Sequence, residues 1–348
     1  MILKLQDARE NTVCVDPATG HLYDLRLNKI DVLHRAPWLD DAEIQADETI
    51  PLVERRLQGD FFCAPFGKSD LIDAPIHGMT ANSPWVVMAQ DKGSVRLALQ
   101  ADVMGARIEK SVCLQGEALL QTHRISGGSG GLTVAHHPMV RMADGGRISV
   151  SAKDIALTPA VALEPGRSWL SYPAQSTDWD TLPGADGPVD LSRYPMMTGH
   201  EDFVTLVEAT DATIGWTAIA RKAEKDLIVI VKDPRVLPVT MLWFSNGGRD
   251  YAPWNGRHVG VFGIEDGCTA GAEGHCAAAE GSMLSELGVK TCLDLGATTH
   301  VIEHAIYAVK CASQDRVVDI ISQDDDLIAQ FADGTEIKLG RAPDWIRD

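Results

Sequence analysis

Turn signals punctuate this chain so often that little besides short β-strands fits between them. Residues 12–15 run into the turn cluster Asp16-Pro17-Ala18-Thr19-Gly20, and Leu22-Tyr23-Asp24-Leu25-Arg26-Leu27 then alternates apolar with polar side chains. Period-two alternation is the mark of a strand with one buried face. Comparable runs occupy 94–99, 106–114, 119–125, 147–151, 203–209, 215–221, 226–231, 239–244, 259–265, 289–295 and 305–310. Between them lie Asp91-Lys92-Gly93, Gln115-Gly116-Glu117, Asp144-Gly145-Gly146, Asp233-Pro234 and Asn246-Gly247-Gly248. This rhythm predicts an all-β protein, a large antiparallel β-sandwich. Sandwiches of this size can remain single units, so one domain over 1–348 is expected. Helical periodicity is weak, and 277–287 is its best candidate.

Two stretches read as long loops, 268–281 and 164–200, the second with five prolines and the tryptophans Trp169 and Trp179. A loop of that length in a compact domain is usually functional. Near the C-terminus, 327–331, the turn Asp333-Gly334 and 336–339 predict a hairpin, either an edge or a homodimer contact.

Acidic residues outnumber basic ones, 49 to 31, for a net charge of −18. No Lys/Arg cluster offsets that field, which argues against nucleic acid or an anionic membrane as partner. The N-terminal residues do not read as a secretory signal, and no stretch approaches the roughly 18 apolar residues that a spanning helix needs. Seven scattered cysteines with no CxxC suit reduced thiols in a cytoplasmic protein. Cys268, His275 and Cys276 sit close together, but their spacing matches no zinc pattern. No metal is therefore expected.

Three segments combine ionisable groups with strand ends. In Asp73-Ala74-Pro75-Ile76-His77-Gly78-Met79-Thr80-Ala81-Asn82-Ser83-Pro84-Trp85, an imidazole and an amide could bond hydroxyls while an indole stacks on a sugar face. The second is Thr133-Val134-Ala135-His136-His137-Pro138-Met139; alternation sends the two histidines to opposite faces. The third, Val259-Gly260-Val261-Phe262-Gly263-Ile264-Glu265-Asp266, brings a carboxylate to the end of an apolar strand. Such a group is costly unless paired or functional, and burial would lift it from about 4.3 towards the range of a general base.

The order of these segments resembles the aldose 1-epimerase, or galactose mutarotase-like, pattern. Carried over residue by residue, the resemblance gives His77 and His137 as catalytic histidines and Glu265 as base. Asp202, in Gly199-His200-Glu201-Asp202-Phe203, matches an aspartate that binds sugar hydroxyls. Asn82, Trp85, Trp243, Trp254 and Lys68 complete the expected substrate contacts. Arg249 and Asp250, between the late tryptophans, and Arg257, just beyond them, are either ligand contacts or, the plainer reading, a surface salt-bridge set. The sequence departs from the pattern where the family has an Asn-Arg pair, near Phe66-Gly67-Lys68, and where Met139-Val140 replaces an aromatic pair.

The resemblance implies a small-molecule sugar or sugar derivative as partner, and cofactor-free anomer exchange. Two other functions fit the same fold: a sugar-binding or sensor protein without catalysis, and a lyase- or hydrolase-like enzyme. Fold alone does not choose among them.

Overall fold

The computed structural model describes residues 2–347. Two large antiparallel sheets form the sandwich. One follows the order Gln175–Ser176, Lys153–Leu157, His200–Glu208, Val239–Asn246, Val261–Cys268, Val134–His136, Phe62–Cys63, with Met139–Arg141 also paired to Val261–Cys268. The other, of nine strands, runs Arg193–Tyr194, Gly146–Val150, Gly215–Arg221, Asp226–Lys232, Leu293–Lys310, Ala118–Leu132, Ala106–Gln115, Ser94–Leu99, Trp85–Gln90. An N-terminal four-stranded sheet adds Leu5, Val13, Val15, Leu22 and Leu25 to the core between them.

The central strands are buried along their whole length, and the alternation of side chains explains why. Phe262, Ile264, Leu242, Phe244 and Val204 point between the sheets. Their neighbours Val261, Met241, Trp243 and Phe203 point the other way, into a second apolar cluster with Trp38, Val53, Leu57 and Trp254. The nine-stranded sheet is covered likewise. Trp216, Ala218, Leu227 and Val229 meet Val317, Ile320, Leu327, Ala329 and Leu339 from a C-terminal three-stranded sheet. Strands covered on both faces lose the polar half of their pattern, hence continuous apolar runs such as 227–231. The expected terminal hairpin is there, as Asp326–Phe331 and Glu336–Arg341, with its apolar face buried within the chain.

Three expectations need correction. The helix placed at 277–287 is two short ones, His275–Glu280 and Met283–Glu286. They are split where Gly281 takes φ +145° and Ser282 caps the second through Ser285. The 164–200 stretch is not bare loop, since it holds a hairpin of Thr181–Gly184 and Gly187–Asp190. Glu265 does not end its strand, which continues to Cys268. All seven cysteines are free, and no helix among the described residues is long and apolar enough to cross a membrane.

Candidate functional site

Alternation along two adjacent strands separates chain neighbours and assembles the site. His136 and Asp266 turn into the sandwich, whereas His137 and Glu265 emerge on the outer face of the eight-stranded sheet. The His137 backbone N–H donates to Phe61 O at 3.0 Å and to the Asp60 carboxylate at 3.1 Å. Its ring stacks on Phe61, centroids 4.5 Å apart, which leaves Nε2 3.1 Å from Glu265 Oε1. Both side chains are almost completely buried. His77 approaches from a loop, its ring edge-on to His137 at 5.2 Å. The His77 backbone is left-handed, φ +63°, and donates to Gly67 O. Gly78, also left-handed, passes so near Ala64 that a Cβ there would lie 2.0 Å from a carbonyl oxygen. The His-Gly order is thus a backbone requirement, because only glycine tolerates both the dihedral and the approach.

These three groups line a cavity of about 230 Å³, together with Phe203, Trp243, Trp254, Arg249, Phe66 and Glu54, with Lys68, Ile76 and Leu163 among its exposed residues. Trp243 donates through Nε1 to Glu201 at 2.8 Å, and Glu201 in turn accepts from Ser245. The indole lies across Gly263 on the next strand, where a Cβ would come within 3.0 Å of it. Arg249 lies over Trp254, 4.4 Å from the ring centre, and 3.0 Å from a Glu164 oxygen.

Charge within the cavity is divided unequally. Burial opposes protonation of His137, but the adjacent Glu265 carboxylate outweighs it and holds the histidine above its ordinary value. Burial, with His137 and Arg249 nearby, drives His77 well below, so it stays neutral at physiological pH. Burial also raises Glu54 and Glu201, against the pull of Arg249. The site thus combines an imidazole disposed to carry a proton, a carboxylate in contact with it, and a second, neutral imidazole.

Of the residues expected from the sequence, His77, His137, Glu265, Trp243, Trp254 and Lys68 come together. Asn82, Trp85 and Asp202 do not. The Asn82 amide donates to Ile76 O and Gly78 O and accepts from Val53 N–H, bracing the loop beneath His77. Trp85 is a core residue whose Nε1 donates to Thr80 O. Asp202 faces away from the cavity and accepts from Trp169 N, Leu170 N, Tyr172 Oη and His200 Nδ1. Residues not foreseen as site groups are Phe203 and Glu54, while Arg249 follows the ligand-contact alternative and not the plainer one. Phe203 was open to inference, since it shares a strand face with the register partner Trp243. Arg249 takes its place in the cavity because two indoles offer their faces to a guanidinium.

No protein-family model matches the sequence, and no curated protein does. Solved structures do match. An inferred aldose 1-epimerase from Escherichia coli K12 superposes with a TM-score of 0.61 at 14% identity, over 89% of this chain and 99% of that one. A galactose mutarotase related enzyme from Lactobacillus acidophilus gives 0.56 at 13% identity, over 90% and 99%. A galactose mutarotase-like protein from Lactobacillus casei gives 0.56 at 12% identity, over 89% and 100%. At these identities the likeness is one of fold, and the fold is the galactose mutarotase-like β-sandwich expected from the sequence.

Proposed function

We propose that the cavity binds a small sugar or sugar derivative and interconverts its anomers, with Glu265 as base, His137 as acid and His77 as a hydrogen-bonding partner. The observation that carries this reading is the 3.1 Å contact between His137 Nε2 and Glu265 Oε1 in a cavity walled by indoles. A hemiacetal carries two oxygens on C1, and exchange requires a proton to leave one as another reaches the second. Glu265 takes the proton of the anomeric hydroxyl, the bond from C1 to the ring oxygen breaks, and His137 delivers its proton to that ring oxygen. Rotation about C1–C2 presents the other face of the aldehyde. On closure His137 recovers its proton from the attacking hydroxyl and Glu265 returns one to the carbonyl oxygen. Neutral His77 donates to the oxygen on which charge develops. The proton count balances with no cofactor.

The test is NMR saturation exchange between anomers across a panel of aldoses and their derivatives. Exchange faster with wild-type than with Glu265→Gln protein supports the reading, and equal rates for both on every sugar sink it. A second reading, ligand binding without catalysis, is favoured by one observation: Arg249 covers the face of Trp254, leaving less bare indole for a sugar to stack on. It predicts saturable binding that survives Glu265→Gln, with no exchange in either protein.

A further inference from the structure

We infer that a second site lies inside the sandwich, directly behind the cavity: Asp60, His136 and His304 hold one divalent transition-metal ion, for which Zn²⁺ is the natural occupant. One candidate ligand atom from each residue lies within 4.8 Å of the others, and all three side chains are buried. They come from separate parts of the chain. Asp60 precedes the strand Phe62–Cys63, His136 ends Val134–His136 in the eight-stranded sheet, and His304 lies in Leu293–Lys310 of the nine-stranded one. An ion here joins the two sheets.

The second, independent observation is unmet hydrogen bonding. Both ring nitrogens of His136 and Nδ1 of His304 have no partner, although polar groups at this depth are almost always satisfied. Asp60 Oδ2 stands 3.9 Å from His136 Nδ1. That is too long for a hydrogen bond and a few tenths of an ångström wider than two tetrahedral donors about 2.0–2.2 Å from a common ion, so the pair closes slightly on binding, with Gln121 Nε2, which donates to the same Oδ2, moving with it. The other nitrogen of His304, Nε2, contacts Asp266 Oδ2 at 3.0 Å. A carboxylate on the far nitrogen fixes the tautomer and aims the free one, as it does behind metal-bound histidines generally. Two imidazoles and a carboxylate suit zinc in geometry and softness. His123 is near but outside this set: its ring is stacked on Phe62 at 3.8 Å and lies 4.9 Å from that of His136, so the fourth position of a tetrahedral ion falls to a water. The His136 and His304 rings stack in parallel at 4.1 Å, so binding must turn one ring off the other. The ion would brace the cavity through the chain, because His136 precedes His137, Asp266 follows Glu265, and Asp60 accepts the His137 N–H.

The test uses the full chain expressed in zinc-supplemented medium and analysed for bound metal, then chelator-treated protein titrated with Zn²⁺ and with Co²⁺. The expected results are one equivalent of zinc in the purified protein and a rise in Tm when Zn²⁺ is restored. Co²⁺ should give the absorption of a tetrahedral site, and His304→Gln and Asp60→Asn proteins should lose the ion while keeping their far-UV circular dichroism. His275→Gln should retain it. If either site variant fails to fold, X-ray absorption of the wild-type zinc protein decides instead: nitrogen and oxygen scatterers with an imidazole signature support the site, and sulfur scatterers overturn it. Absence of stoichiometric metal together with no Tm response to Zn²⁺ also overturns it, as does metal retained by folded His304→Gln protein. No sugar enters the experiment, so its outcome is separate from that of the isomerase reading.

Discussion

His136 and His137 are consecutive, yet their rings stand on opposite faces of one sheet: the first is stacked on His304 inside the sandwich, the second lies 3.1 Å from Glu265 in the cavity. Strand alternation alone accomplishes this. It makes the two histidines separable by mutation, and the same holds for Glu265 and Asp266.

Glu265→Gln retains the shape of the side chain but removes the base and the charge beside His137. Anomer exchange should fall about 10²–10⁴-fold, the usual contribution of a positioned acid or base. Sugar affinity measured by calorimetry should change far less. A comparable loss in both would mean that Glu265 serves binding and not proton transfer.

The pH dependence follows from the direction of the His137 shift. Its folded-state value lies above the ordinary 6.5, so the imidazolium persists to higher pH than in a free histidine. Activity that needs this proton declines as pH rises through the raised value. In kcat/KM profiles the alkaline limb should therefore lie above pH 6.5 for the wild-type protein. Any residual limb in Glu265→Gln protein should move to lower pH, since the charge that raised it is gone. A limb that stays in place in the variant would assign it to another group.

Asp202→Ala should destabilise the fold without weakening ligand binding. It strips an acceptor from Trp169 N, Leu170 N, Tyr172 Oη and His200 Nδ1, all at 3.1 Å or less. A cost of about 3 kcal/mol is expected from the donors left unpaired. Urea denaturation gives that number. A KM raised tenfold in protein that remains folded would return Asp202 to the binding site.

Lys232→Met probes the ionic chain that spans the interior. The Lys232 ammonium lies 2.9 Å from Glu208 and 3.0 Å from Asp266, and it also donates to Thr240 Oγ1 and Val239 O. Removing the cation leaves Asp266 with only its neutral and histidine contacts, and breaking a buried ionic set of this kind costs about 3–5 kcal/mol. Replacing the whole set, Lys153, Glu208, Lys232 and Asp266, by apolar residues should cost less than the single change, because no buried charge is then left without a partner. The three denaturation midpoints decide the matter.

Much of the sandwich could be read from the chain because turns and alternation are local signals. The runs at 215–221, 226–231 and 239–244 fall within observed strands. The covering of both sheets is a non-local fact, and it is why Val229 and Trp243, which read as parts of unbroken apolar runs, serve different clusters. His77, His137 and Glu265 stand out in the sequence because each sets an ionisable group beside a strand-like run and their order resembles a family pattern, and all three line the cavity. Asn82 and Trp85 lie close to His77 in sequence, but Asn82 ends the short helix Gly78–Asn82 with its amide bracing the loop, and Trp85 starts the strand Trp85–Gln90 with its indole in the core. Which of its two readings Arg249 takes is not legible in the chain, because sequence gives no sign of which way an arginine between tryptophans will fold.

Gly263 carries no functional group, yet it bears on the floor of the cavity. A methyl group there would meet the Trp243 indole at 3.0 Å and press it by a few tenths of an ångström towards the space a ligand would fill. The fit of the chamber can thus be adjusted from beneath, by one atom on a strand, while every proton-carrying residue keeps its identity and its neighbours. Selection acting at this position could shift which molecules are admitted and leave the chemistry performed on them untouched.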